Sequence, residues 1–260
     1  MRTLSRTVGR ESIGGEPLPS CFTTFERLKV VIRRSELTMI AGVPGVGKSF
    51  LSLALALKTG VPTLYFSADT NAHTMAVRIA SMISGKNQDE TEHLLATDPG
   101  WTKITLERGK HIQWCFDSSP SLGEVADEVK AFTELWGCPP SMIVVDNLMD
   151  IATEGGEEYA TMKAITKELK ILARDTNSAV ILLHHTSESI PGSPCQPRSS
   201  LLGKISQVPA LVLTLGVNGN RMASAVVKNR YGEADALGVG VMAWLDFFPA
   251  YAYLNDISVA

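Results

Sequence analysis

The sequence contains no apolar run of the roughly 18 residues needed to span a membrane, so no transmembrane helix is expected. It contains no CxxC pair and no histidine at zinc-ligand spacing, which removes the common structural-zinc patterns. The four cysteines, Cys21, Cys115, Cys138 and Cys195, are scattered, as expected for reduced thiols in a cytosolic protein. There is no strong charge of either sign: 24 Lys and Arg against 27 Asp and Glu leave −3. Any contact with nucleic acid therefore has to come from a local patch and not from a whole-molecule field. The opening residues 1–7 are too short and polar to begin a secretory signal. No internal repeat and no dividing linker is visible, and 260 residues suffice for one large α/β domain. The expectation is an irregular lead-in over residues 1–20 and a single domain over 21–260.

The best-defined stretch is Gly42-Val43-Pro44-Gly45-Val46-Gly47-Lys48-Ser49-Phe50. An apolar run precedes it at residues 37–41 and a helix-forming run follows at 50–58. Strand, glycine-rich turn, lysine-serine and helix form the context of a phosphate-binding P-loop. Backbone N–H groups of such a turn cradle a polyphosphate, Lys48 reaches its outer phosphates, and Ser49 offers a hydroxyl to Mg²⁺. A nucleoside triphosphate is the expected ligand.

Strand-like runs then alternate with helical ones. Strands are expected at residues 61–67, 111–116, 141–146, 179–183, 210–217, 222–228 and 239–248. Helical spacing appears at Met75, Ile79, Met82 and Ile83. It recurs in the stripe Leu122, Val125, Val129, Phe132 and Leu135, and in Tyr159, Met162, Ile165, Leu169 and Leu172. Residues 86–100 read as polar surface helix and loop. Residues 153–158 read as an acidic loop, and 186–200 as a proline-containing loop with no periodicity. The alternation predicts one α/β domain around a mainly parallel sheet flanked by helices, with further strands toward the C-terminus.

Several polar residues stand at strand ends. Asp146 closes an apolar strand, where a Walker B carboxylate would complete a Mg²⁺ shell, although a carboxylate can also simply finish a strand. Asp69 follows the 61–67 strand. It suits the orientation of an attacking water, and equally the first turn of the next helix. His184 and His185 end another buried strand. Adjacent strand residues point to opposite faces, so one of the two can reach a γ-phosphate while the pair cannot share a metal. Lys228 and Arg230 share a face at a late strand end, as solvated charges or as a finger into a neighbour's site. Lys163, Lys167, Lys170 and Arg174 share one helix face, read first as solvated surface and second as a nucleic-acid track.

Taken together, these residues resemble the RecA-like ATPase core of the DnaB-type hexameric helicases, over residues 20–247. Phe66-Ser67-Ala68-Asp69 is similar to the family's Phe-Ser-Leu-Glu, with aspartate replacing the catalytic glutamate, and Arg78 falls where the family carries an arginine. His184-His185 matches the position of a glutamine, or of a histidine pair in small plasmid-type members. Lys228-Asn229-Arg230 is similar to the Lys-x-Arg that reaches the adjacent subunit's nucleotide. The lead-in is too short for the helical primase-binding domain of the replicative members, which points to a phage or plasmid type in a host cytoplasm.

The resemblance implies ATP and Mg²⁺ as cofactors, and hydrolysis at the interfaces of a homo-oligomeric ring, expected to be hexameric. It also implies helicase or translocase action on single-stranded DNA in replication, recombination or repair, with RNA open. The family places two loops in a ring's central channel, matched here by residues 147–158, which are acidic, and 186–204, which offer only Arg198 and Lys204 as cations; a ring would multiply these into a collar. A RecA-like recombinase or annealing ATPase is the first alternative. A weakly hydrolysing nucleotide switch is another, and a nuclease using Asp146, Asp150 or Glu154 is a third.

Overall fold

The computed structural model describes residues 15–153, 158–187 and 193–257. Among the described residues nine strands form one sheet in the order β3-β2-β4-β5-β1-β6-β7-β8-β9. These are β1 (Leu37–Gly42), β2 (Thr63–Ser67), β3 (Ile112–Cys115), β4 (Met142–Asp146), β5 (Ala179–His185), β6 (Leu211–Asn218), β7 (Arg221–Asn229), β8 (Met242–Phe248) and β9 (Tyr253–Asp256). From β3 to β6 the pairings are parallel, and from β6 to β9 antiparallel. The expected mainly parallel sheet with late additional strands is present.

The central strands read as continuous apolar runs because both faces are covered. Every residue of β1, β2 and β4 is buried. On one face Ile40, Tyr65, Val144 and Ile181 pack with Leu51 and Leu55 of α1 (Lys48–Thr59) and with Met75 and Ile79 of α2 (Ala72–Ser84). On the other, Met39, Phe66, Val145 and Leu182 meet α3 (Leu122–Trp136) through Val125, Val129 and Phe132. They also meet α4 (Glu158–Asp175) through Met162, Ile165 and Leu169. Burying each such side chain contributes about 1.5–3 kcal/mol relative to exposure.

Several local expectations are corrected. Leu135 is 73% exposed, because the buried stripe continues from Phe132 to Trp136, stacked on it at 5.4 Å, before Gly137 ends the helix in a left-handed turn. The final strand of the expected 239–248 run begins only at Met242. Asp235 accepts backbone N–H groups from Leu237, Val239 and Gly240, which folds that stretch into a turn and leaves Val239 outside the sheet. Two helices, Gln88–Thr97 and Pro99–Glu107, occupy the region read as helix and loop. Strand β9 adds to the expected set. Residues 15–20 run beside 32–34, with Leu18 buried and bonded to the Ile32 carbonyl.

Candidate active site

The parallel strands all deliver their C-terminal ends to one edge, where open α/β sheets place their ligands. At that edge Gly42 ends β1 beside His185 of β5, and Ser67 ends β2 beside Asp146 of β4. Register alone thus gathers the P-loop, both strand-end carboxylates and one histidine. The resulting cleft of about 280 Å³ is lined by Pro44, Gly45, Gly47, Lys48, Ser49, Phe50, Asp69, Thr70, Arg78, Asp146, Asn147 and His185.

The turn between β1 and α1 needs its glycines. Gly45 and Gly47 have φ of +77° and +97°, and a Cβ on Gly47 would lie 2.6 Å from Met222 Cε. Val46 is buried beneath the turn and Val43 half-buried, while Pro44 and Gly45 are exposed. The first turn of α1 then presents N–H groups with no helical acceptor, a ready anion cradle.

Lys48 is 7% exposed and folds back onto the turn, donating to the carbonyls of Gly42 at 3.1 Å and Val43 at 3.2 Å. Its ammonium lies 3.4 Å from His185 Nδ1. Burial holds its pKa below the ordinary value, opposed by the negative charges of Asp146 and Asp69.

Asp146 is 6% exposed, and burial raises its pKa while a hydrogen bond from Ser49 opposes the rise. Among the described residues no cation lies within ion-pair distance of it. A buried carboxylate beside a serine hydroxyl is a hard-oxygen donor pair of the kind Mg²⁺ takes, so these residues fit the ion. Asp69 is exposed at the cleft mouth, where its Oδ2 accepts from Asn147 Nδ2 at 3.0 Å. Asn71 caps α2 by accepting from Thr74 N, and Asp69 stands two residues before that cap.

The histidines separate. His185 is half-buried and faces the cleft, with its pKa lowered by burial and by Lys48. His184 points to the opposite face and is fully buried, with Nε2 2.8 Å from the Leu202 carbonyl. Strand alternation therefore takes His184 out of the cleft and leaves His185 as the residue within reach of a ligand.

Lys228 and Arg230 lie at the other edge. Asn229 pairs with Leu211, which pairs with Thr38 near the start of β1. The P-loop of the same chain is then several strand residues away, on the order of 15 Å. Lys228 Nζ donates to the carbonyls of Ser206 at 2.8 Å and Gln207 at 2.9 Å. Burial pushes its pKa down to about 8, helped by Arg230, Arg198 and Lys170. Arg230 pairs with Glu36 at 3.2 Å. Arg198 is exposed and adds its charge to this group, and Lys170 also faces Glu36, at 3.9 Å, instead of standing on a purely solvated face. Glu154 and the Lys204 side chain lie outside the described residues, and Asp150 is engaged by the Asn147 backbone N–H.

Three residues in or under the cleft, Asn147, Thr70 and Tyr65, escape the sequence reading as site residues. Asn147 and Thr70 have no local signature. Arg78, placed by its spacing in the family pattern, sits with its guanidinium 5.0 Å over the Phe50 ring and a buried Nε that has no partner among the described residues. Tyr65 reaches Asp146 from below the cleft. Phe50 itself stacks edge-on against Phe247 at 5.6 Å.

A family model described as "AAA domain" matches residues 26–189. The chain is 32% identical over 252 residues to the Gene 65 protein of Mycobacterium phage L5, covering 93% of this chain and 94% of that one. It is 26% identical over 184 residues to the replicative DNA helicase DnaB of Geobacillus stearothermophilus, covering 66% of this chain but 40% of the helicase. Among solved structures, a DnaB-like replicative helicase superposes with a TM-score of 0.80 at 16% identity, covering 98% of this chain and 67% of that one. A separately solved ATPase domain superposes with the same TM-score of 0.80 and 16% identity, covering 98% and 96% of the two chains.

Proposed function

We propose, for a chain that belongs to the AAA-domain family and carries the RecA-like ATPase core of the DnaB-type helicases, an ATP-driven motor acting on single-stranded DNA as a ring of identical copies. It spans about 40% of the helicase relative's length, so the motor activity rests on the site and not on whole-chain likeness. The observation that carries the reading is the segregation of functional groups to two opposite sheet edges. P-loop, Asp69, Asp146 and His185 share one edge, and Lys228 and Arg230 stand at the other. The second group cannot serve its own P-loop but can serve a neighbour's in a head-to-tail ring.

In this reading the P-loop N–H groups hold the triphosphate, and Lys48 leaves the Gly42 and Val43 carbonyls for its β- and γ-phosphates. Ser49 and Asp146 would hold Mg²⁺, which would supply positive charge against the outer phosphates. Asp69, steadied by Asn147, orients the attacking water and accepts its proton. His185 reports whether a γ-phosphate is present, and Lys228 and Arg230 of a neighbour meet the charge that develops on it. Arg198 and Lys204 contact the DNA phosphates, with modest charge multiplied around the ring.

Steady-state ATPase measured against protein concentration, with and without single-stranded DNA, tests this. The rate per protomer should rise with both, and Lys48→Ala should abolish it. A rate independent of concentration and DNA would sink the ring motor.

A further inference from the structure

Tyr65 lies beneath the cleft and lines none of it, yet its hydroxyl is where three elements of the site meet. The residue is fully buried in β2, with its ring held against Trp114 at a centroid distance of 4.8 Å. Its oxygen is 3.3 Å from Asp146 Oδ2 on β4 and 2.8 Å from Ser52 Oγ on α1. Ser52 in turn lies 3.1 Å from the carbonyl of Ser49. Ser49 and Ser52 are three residues apart on one helix face, so the chain Asp146–Tyr65–Ser52–Ser49 closes a loop around the oxygen pair that fits Mg²⁺.

An ionised carboxylate can only accept, so the Tyr65–Asp146 bond must be donated by the phenol. The phenol then accepts the proton of Ser52. In the other arrangement Ser52 donates to the Ser49 carbonyl, and Tyr65 donates to Ser52. One phenolic proton cannot serve both, so the direction of this chain is tied to what the Asp146 carboxylate is bonded to. Burial pushes the Tyr65 pKa well above its ordinary value, and the group therefore stays a donor across working conditions. A buried tyrosine that needed only a partner would be satisfied by Ser52. The second contact is made to the one carboxylate in the Mg²⁺-fitting pair.

We propose that Tyr65 is a positioning residue for the cation-holding carboxylate, fixing the orientation of Asp146 through its phenolic hydrogen bond. This rests on the reading of Ser49 and Asp146 as the Mg²⁺ pair. It acts through Asp146 and touches neither nucleotide nor cation.

Equilibrium binding of a fluorescent ATP analogue, titrated with Mg²⁺ and repeated in EDTA, tests the proposal. Tyr65→Phe should raise the Mg²⁺ concentration for half-maximal tightening by about tenfold, the scale of an outer-shell contact, and leave affinity in EDTA within about twofold. Ser52→Ala keeps the Tyr65–Asp146 bond and should shift the Mg²⁺ midpoint by less than about threefold. An unchanged midpoint in Tyr65→Phe overturns the proposal. So does an equal loss in EDTA, which would mark general packing, or a Ser52→Ala shift as large as that of Tyr65→Phe.

A spectroscopic readout isolates Tyr65 from the other tyrosines of the chain. The ultraviolet resonance Raman difference between wild type and Tyr65→Phe, with Mg²⁺ and nucleotide bound, should show a tyrosine that donates a hydrogen bond, and a non-donating tyrosine there overturns the proposal. Absence of any Mg²⁺ dependence in the wild type is a separate failure, since it removes the Mg²⁺ pair itself and the role of Tyr65 with it.

Discussion

His184 makes the stability of the fold depend on pH. The carbonyl of Leu202 can only accept, so Nε2 carries the proton, and Nδ1 is left buried with no partner among the described residues. Protonation would place a second N–H and a charge there with nothing to receive either. Burial accordingly lowers the pKa to about 4 from the ordinary 6.5.

Between those values the unfolded chain binds the proton and the folded chain does not, so stability falls as pH falls from 6.5 toward 4. The full difference corresponds to about 3 kcal/mol, of which about 2 kcal/mol is lost by about pH 5. Glutamine at 184 can still donate to the Leu202 carbonyl but does not titrate. Urea unfolding at about pH 7 and about pH 5 should show the wild type losing about 2 kcal/mol more than His184→Gln. Equal losses in the two proteins would refute the assignment of His184 as a neutral core residue.

Two further outcomes concern the chemistry. Asp69→Asn should lower turnover by about a hundredfold or more with nucleotide affinity within about twofold, whereas Asp69→Glu should hydrolyse at least as fast as wild type. Unchanged turnover in Asp69→Asn, by single-turnover ATPase, would show that the water is oriented by another group. Lys228, with a pKa of about 8, loses its charge as pH rises through that value. Concentration-dependent ATPase should therefore decline from about pH 8 to 9 in the wild type and persist in Lys228→Arg, whose guanidinium stays charged. Superimposable pH profiles would contradict a role for the Lys228 charge.

What was legible in the sequence follows the range of the interactions involved. The P-loop is a contiguous strand, turn and helix, and its glycines answer local backbone demands at Gly45 and Gly47. Asp146 and Asp69 were visible because a carboxylate closing an apolar strand is itself a local contrast.

The choice between His184 and His185 was not visible, because parity on β5 depends on its pairing with β1. Tyr65 and Asn147 become part of the site only through the β2–β4 register that sets Ser67 beside Asp146. Arg78 and Phe50 meet across two helices, and a helical stripe alone did not reveal that contact. At the far end, β9 is four residues long and half-buried, too short to display an alternating pattern.

The central claim is that a working site joins the P-loop of one copy to Lys228 and Arg230 of another. Lys48→Ala and Arg230→Ala should each be inactive alone, because one lacks the phosphate lysine and the other the finger. Mixed in equal amounts and allowed to exchange subunits, they should recover about a quarter of wild-type ATPase. That is the share of head-to-tail interfaces in which both halves are intact. A mixture as inactive as its two components, with exchange verified, would contradict the shared site.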